Sequence, residues 1–300
     1  MSALFTDTFP IILIAFIGYL LKVFKVLRAE QGDLLLRLVF YVSLPALILM
    51  AFSEITLTMQ YAYLPFITVS VIASMFGLSY LIGKTLNLPG PRLGVFIIGT
   101  MILNNGFLLP FVIAAYGDEG LTRLLIFDFM NALLAFTWVY FIACKYGENS
   151  HDRKTLVRKF LYSPPIWAIV ISIIMNLTQV KAPVVLLNVF QLAGDTTVPL
   201  IMLSLGVYFT PRLVYPRGII AGIIIRMCVG LLIGYGFSEI FGLTGLTRLI
   251  VLLGSSAPIG FNTITFASME NLDREFAASL VSTAIVTGII YVPLFIYFMG

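Results

Sequence analysis

Apolar residues run through this chain in long blocks, separated by short polar connections. A helix needs about 20 consecutive apolar residues to cross a bilayer. Ten such windows can be laid down, at roughly 5–26, 32–53, 61–86, 92–116, 120–143, 164–180, 184–209, 217–240, 246–268 and 274–298. The pattern predicts an all-α polytopic membrane protein. The one sizeable hydrophilic segment is 145–163, KYGENSHDRKTLVRKFLYS, and it divides the windows into five and five. An odd number per half starts the second half on the opposite side of the membrane. The expected architecture is therefore two inverted five-helix repeats, 1–144 and 164–300, joined by a cytoplasmic linker over 145–163.

Two windows are interrupted inside. The fourth carries Asn104, Asn105, Gly106, Phe107 and Pro110, and the ninth carries Ser255, Ser256, Pro258, Gly260, Asn262 and Thr263. Proline removes a backbone donor and clashes with the carbonyl four residues back. A helix broken there leaves polar backbone at membrane depth, which is tolerated only inside protein or against a water-filled cavity. Paired breaks in corresponding halves point to a transporter's binding site, so helices 4 and 9 are expected to cross at the membrane midplane. The bland reading is that Pro110 and Pro258 merely kink packed helices whose amides bond to nearby backbone. A fainter echo joins Ser43-Leu44-Pro45 in window 2 to Thr197-Val198-Pro199 in window 7. Ser43 joins the substrate-binding candidates with the residues of the two breaks.

Composition strengthens the membrane assignment. Hydrophobic residues make up 60% and charged residues 11% of the 300 residues, and mean hydropathy is +1.04, whereas a soluble domain carries about 25% charged residues. The basic residues are segregated. With the N-terminus outside, thirteen of the eighteen Lys and Arg fall in inward loops and three (Arg123, Lys181, Arg248) in outward ones. That bias places both termini outside the cytoplasm of a multi-pass cell-membrane protein. The net charge of +4 is thus a topology signal, and no nucleic-acid partner is expected. Cys144 and Cys228 imply no disulfide framework. No nucleotide-binding or metal-ligand motif appears, so no cofactor is expected and transport would be secondary. The chain is not read as an enzyme.

Ionisable residues within membrane spans are functional candidates by default. Asp128 shares a helical face with Asn131, Asp195 precedes Thr196, and Arg226 lies in the middle of window 8. Each serves either as a coupling charge or as part of a structural salt bridge, for instance Arg226 with one carboxylate. Arg37 is close enough to a helix end to snorkel. Phe107 either flanks a ligand or fills the core. Glycines 218, 222, 230 and 234 on window 8 suit close helix packing. The residues leave H⁺, Na⁺ and no coupling ion open.

Several segments together resemble the auxin efflux carrier family of membrane transporters, which includes bacterial permeases for organic acids. They are Gly18-Tyr19-Leu20-Leu21, the run from Leu38 to Leu47, Asn105-Gly106-Phe107-Leu108-Leu109-Pro110, Val198-Pro199-Leu200, Ala257-Pro258 and Val292-Pro293-Leu294. The resemblance implies a ten-helix fold in which helices 4 and 9 cross and a mobile domain moves against a scaffold of helices 1, 2, 6 and 7. It further implies a small organic anion as substrate, homodimerisation through the scaffold, and site roles for Asn105, Pro110, Pro258 and Asn262. The chain departs from the plant carriers in lacking their long cytoplasmic loop, and Asn104-Asn105-Gly106 differs from an Asn-Pro start. The competing readings are a sodium-coupled symporter resembling the bile acid family and, more remotely, an intramembrane aspartyl protease using Asp128 and Asp195.

Overall fold

The computed structural model describes residues 2–53, 60–147, 164–180, 182–209 and 213–299. Most of the 145–163 linker, together with Lys181 and Arg212, lies outside the described residues.

Among the described residues every element is helical. In chain order these are α1 (Ser2–Val23), α2 (Ala29–Leu38), α3 (Leu44–Ser53), α4 (Gln60–Thr85), α5 (Gly90–Met101), α6 (Asn105–Leu134) and α7 (Tyr140–Tyr146). They continue with α8 (Pro164–Thr178), α9 (Val184–Gly194), α10 (Thr197–Tyr208), α11 (Pro216–Ile223), α12 (Gly230–Ile240), α13 (Gly245–Ser255), α14 (Asn262–Met269) and α15 (Arg274–Met299). Wide π turns at Val39–Ser43, Ala135–Val139 and Ile224–Val229 join α2 to α3, α6 to α7 and α11 to α12. Among the described residues five stretches are long and apolar enough to cross a membrane: Tyr63–Thr85, Asn105–Tyr146, Val184–Tyr208, Pro216–Ile240 and Arg274–Met299. Shorter apolar helices are Pro10–Val23, Leu34–Met50, Trp167–Thr178 and Gly245–Ser255. The long α6 is not one rod. Gly117, at φ 57°, turns the chain between the windows that end near 116 and begin near 120, a left-handed conformation that glycine adopts without a Cβ penalty.

The chain divides into two compact units. The first comprises 1–58, 109–125 and 161–209. Within it α1 lies against α10, with Gly18 facing the Leu203 backbone and Gly206 facing Ala15 and Tyr19. Small residues on both helices let the backbones approach closely. Lys22 Nζ donates to the Phe209 carbonyl at 2.7 Å, closing the C-terminal end of α10 with a cation where the helix dipole favours one. Helix α3 packs on α8 and α9. Large apolar side chains of α9, among them Val184, Val185 and Leu192, point outward.

The second unit comprises 59–108, 126–160 and 210–300. Its core is built on α5, whose residues from Leu93 to Met101 are all buried, with α4, α7 and α15 packed around it. Thr68 on α4 donates to the Phe127 carbonyl at 2.7 Å. Arg92 at the start of α5 pairs with Asp273 at 2.7 Å. Glycines 218, 222, 230 and 234 all face close neighbours, as their spacing predicts.

Candidate functional site

Both interrupted windows break, and the two breaks pair. Helix α5 stops at Met101 and α6 starts at Asn105, while α13 stops at Ser255 and α14 starts at Asn262. Between them Leu103 and Ile259 form an isolated antiparallel bridge. Backbone released from a helix inside an apolar protein must find new partners, and here each extended segment supplies them to the other. Asn104 N–H donates to the Pro258 carbonyl at 3.0 Å, and Asn104 Nδ2 donates to the Ile259 carbonyl at 3.2 Å.

The first break lies upstream of where Gly106 and Pro110 place it. Pro110 sits inside α6, while Pro258 lies in the extended stretch of the second break. The difference has a local cause. Asn104 is the N-cap of α6, and its Oδ1 accepts the Phe107 N–H at 3.2 Å, so the helix restarts before Pro110 is reached. The residues ahead of the cap are held from the far part of α6, beyond Gly117. Asn131 Oδ1 accepts from Leu103 N–H at 3.1 Å and Asn131 Nδ2 donates to the Leu103 carbonyl at 3.0 Å.

The same amide continues the network. Asn131 Nδ2 also donates to Asp128 Oδ1 at 2.7 Å, and Asn105 Nδ2 donates to that oxygen at 2.8 Å. Asp128 is therefore placed beside the first residue of α6. Asn105 is 3% exposed, yet its Oδ1 has no hydrogen-bond partner. Ser255 Oγ and Thr263 Oγ1 are likewise buried without a partner. Orphaned polar atoms of this kind are uncommon in folded proteins; three of the nine among the described residues lie at the two breaks. Asn262, half-buried, opens α14 with no side-chain hydrogen bond among the described residues. Ser256 is differently employed: it donates to the Leu252 carbonyl at 2.7 Å and accepts from Tyr291 at 2.9 Å. Phe107 is buried in the same wall as Pro258, both lying against Gly288, which fits the core-filling reading. Gly106, in the first turn of α6, is exposed.

Arg226 does not make the salt bridge that is one of its two readings from sequence. It pairs with no carboxylate among the described residues. Its fully buried guanidinium donates instead to backbone carbonyls: Nη1 to Thr100 and Nε to Ala257, each at 3.1 Å, and Nη2 to Ser255. Thr100 and Ser255 lie in the last turns of α5 and α13, where carbonyls have no intrahelical donor. Arg226 occupies the π turn Ile224–Val229, and such turns recur at functional sites. Gly230, one turn on, lies so close to the Ser255 carbonyl that a β-carbon would collide with it, and would crowd the guanidinium as well.

Ser43, Pro110, Asp195 and Thr196 belong to the first unit. Ser43 is buried with its Oγ unpartnered, and Thr197 shares that condition. Asp195 and Thr196 are exposed at the join of α9 and α10, where Thr196 Oγ1 donates to the Ala193 carbonyl at 2.7 Å.

Two features escaped the sequence. Glu270, at the end of α14, is fully buried and accepts a hydrogen bond from the Tyr140 hydroxyl. It reads as a loop residue because it follows the last apolar residue of its window. The bracket of Leu103 by Asn131 is a long-range contact with no local signal.

A sequence profile of the family described as membrane transport protein matches residues 3–296. The chain is 27% identical over 280 residues to an uncharacterized transporter of Methanocaldococcus jannaschii, covering 90% of each chain. It is 24% identical over 294 residues to an uncharacterized transporter of Methanothermobacter thermautotrophicus, covering 95% of this chain and 94% of the relative.

Proposed function

Because the chain belongs to the membrane transport protein family, the auxin-efflux-carrier-like group of transporters, we propose that it is a secondary carrier for a small organic anion. The anion is a carboxylate, bound at the paired breaks and moved by alternating access. The observation that carries this reading is the Leu103–Ile259 bridge flanked by unpartnered polar atoms on Asn105, Ser255 and Thr263. The positive ends of the α6 and α14 helix dipoles favour a negative ligand, and Asn105 and Asn262 open those helices with uncharged hydrogen-bonding groups.

In this reading the chain crosses the membrane ten times as two inverted repeats, with helices 4 and 9 crossing near mid-membrane and both termini outside. Homodimerisation would run through the scaffold helices. Coupling, by H⁺ or Na⁺, falls to charges next to the site, of which Asp128 is one. The side-chain partners of Asp128 are amides, whereas an aspartyl protease needs a second carboxylate to share its proton.

A thermal-shift screen of the purified protein against mono- and dicarboxylates tests the function. A ligand at a hundred times its Kd stabilises the folded state by about 2.7 kcal/mol. The expected result is a shift with at least one carboxylate that Asn105→Ala and Asn262→Ala both reduce. Equal shifts in wild type and both variants would remove the breaks as the site. Uptake into proteoliposomes with and without Na⁺ then decides between the organic-anion carrier and the sodium symporter.

A further inference from the structure

We propose that Arg226 and Asp128 are a divided charge pair, each compensating the helix ends of the breaks rather than the other, and that Arg226 is thereby the positioning residue that joins the two halves of the site. The inference rests on the reading of the breaks as a site for an anion.

A guanidinium with no exposed surface is costly unless it is paired, and the partners of Arg226 among the described residues are carbonyls. Those carbonyls are a suitable counter-charge. A helix C-terminus carries about half a negative elementary charge, and α5 and α13 both end at this one side chain. Two such ends amount to about one negative charge, which a single guanidinium balances. Without it, two negative helix ends would face the place where an anion is to bind.

Asp128 stands at the opposite pole. Its Oδ1 accepts from Asn105, the first residue of α6, so its carboxylate lies near the positive end of a helix that starts at the break. Among the described residues of this unit, Arg92 pairs with Asp273, Arg248 with Glu239, and Glu270 accepts from the Tyr140 hydroxyl. Arg226 and Asp128 bond directly to residues of the breaks, and the two substitutions act in opposite directions on an anion. Loss of the Arg226 charge leaves the helix C-termini uncompensated and weakens anion binding. Loss of the Asp128 charge leaves the start of α6 positive and strengthens it. A pair of merely structural groups would weaken binding in both cases.

The test uses full-length protein in detergent with two readouts. Equilibrium binding of L-malate as the probe anion is measured for wild type, Arg226→Gln, Arg226→Lys and Asp128→Asn. The expected result is a fall of about tenfold or more in Arg226→Gln, partial recovery in Arg226→Lys, and a rise in Asp128→Asn. Hydrogen exchange without ligand, followed in peptides covering 98–108 and 252–261, is the second readout. Arg226→Gln is expected to speed exchange in both segments and Arg226→Lys to restore part of the protection. A change in only one segment, or a uniform change across the protein, overturns the proposal, as does weaker malate binding in Asp128→Asn. If wild type does not bind malate, that probe fails as an anion for the site, while the exchange readout still decides the role of Arg226.

Discussion

The side chain of Asn131 stands beside Leu103 as a neighbouring strand would, accepting its N–H at 3.1 Å and donating to its carbonyl at 3.0 Å. One amide thus satisfies both backbone groups of a residue that has left the helix. The pairing fixes the first break in position before any ligand is present. Asn131→Ala removes both partners of a buried residue. Each orphaned group costs about 1–3 kcal/mol, so the variant is expected to unfold at a clearly lower temperature. An unchanged melting temperature would show that Leu103 is held by other means.

Neighbouring asparagines are expected to behave differently. Asn104 caps α6 and bonds to Ile259, so Asn104→Ala acts chiefly on stability, by about 1 kcal/mol for the cap alone. Asn105→Ala gives up one protein bond, to an Asp128 oxygen that Asn131 also serves, while the Asn105 Oδ1 has no protein partner, so the substitution acts on ligand binding more than on stability. Melting curves with and without a carboxylate identified in the screen separate the two effects. The distinction fails if both variants lose stability and binding in the same proportion.

Glycines on α12 provide an internal control. A β-carbon at Gly230 meets the Ser255 carbonyl and the Arg226 guanidinium, while one at Gly236 meets nothing within 4 Å. Gly230→Ala is expected to destabilise by about 1–3 kcal/mol, as overpacking does. Gly236→Ala is expected to be neutral or slightly stabilising, since alanine is the better helix former by about 0.5–1 kcal/mol. Equal melting temperatures for the two variants would contradict the close approach at Gly230.

Asp273 has two tasks that substitution can divide. Its Oδ2 accepts from Arg92 at 2.7 Å, and its Oδ1 accepts the Phe276 N–H at 2.9 Å as the cap of α15. Asn is as good a cap as Asp, so Asp273→Asn loses only the ion pair. Both its side chains are partly exposed, at 27% and 20%, and such a pair contributes about 0–1 kcal/mol that added salt weakens. Asp273→Ala also loses the cap and is expected to cost about 1 kcal/mol more. Chemical or thermal denaturation at two salt concentrations measures both increments.

The sequence alone determined much that is local. Unbroken apolar windows mark membrane helices because hydrocarbon excludes unpaired backbone, and proline and glycine among amides mark where such a helix fails. Paired interruptions therefore pointed to Asn104, Asn105, Pro258 and Asn262 before any fold was known. The placement of the first break was less legible. Pro110 appeared to be its cause, yet the helix resumes at Asn105 because Asn104 caps it and Asn131 holds Leu103. The cap is local, but only the tertiary structure decided the Asn131–Leu103 pairing, since it joins residues 28 apart in the chain. It also decided the meaning of Arg226. A buried arginine in a sequence calls for a carboxylate, but a folded chain has another negative group to offer: the unpaired carbonyls at a helix end. Two helices ending at one guanidinium, at Thr100 and Ser255, give it partners that no reading of side chains reveals.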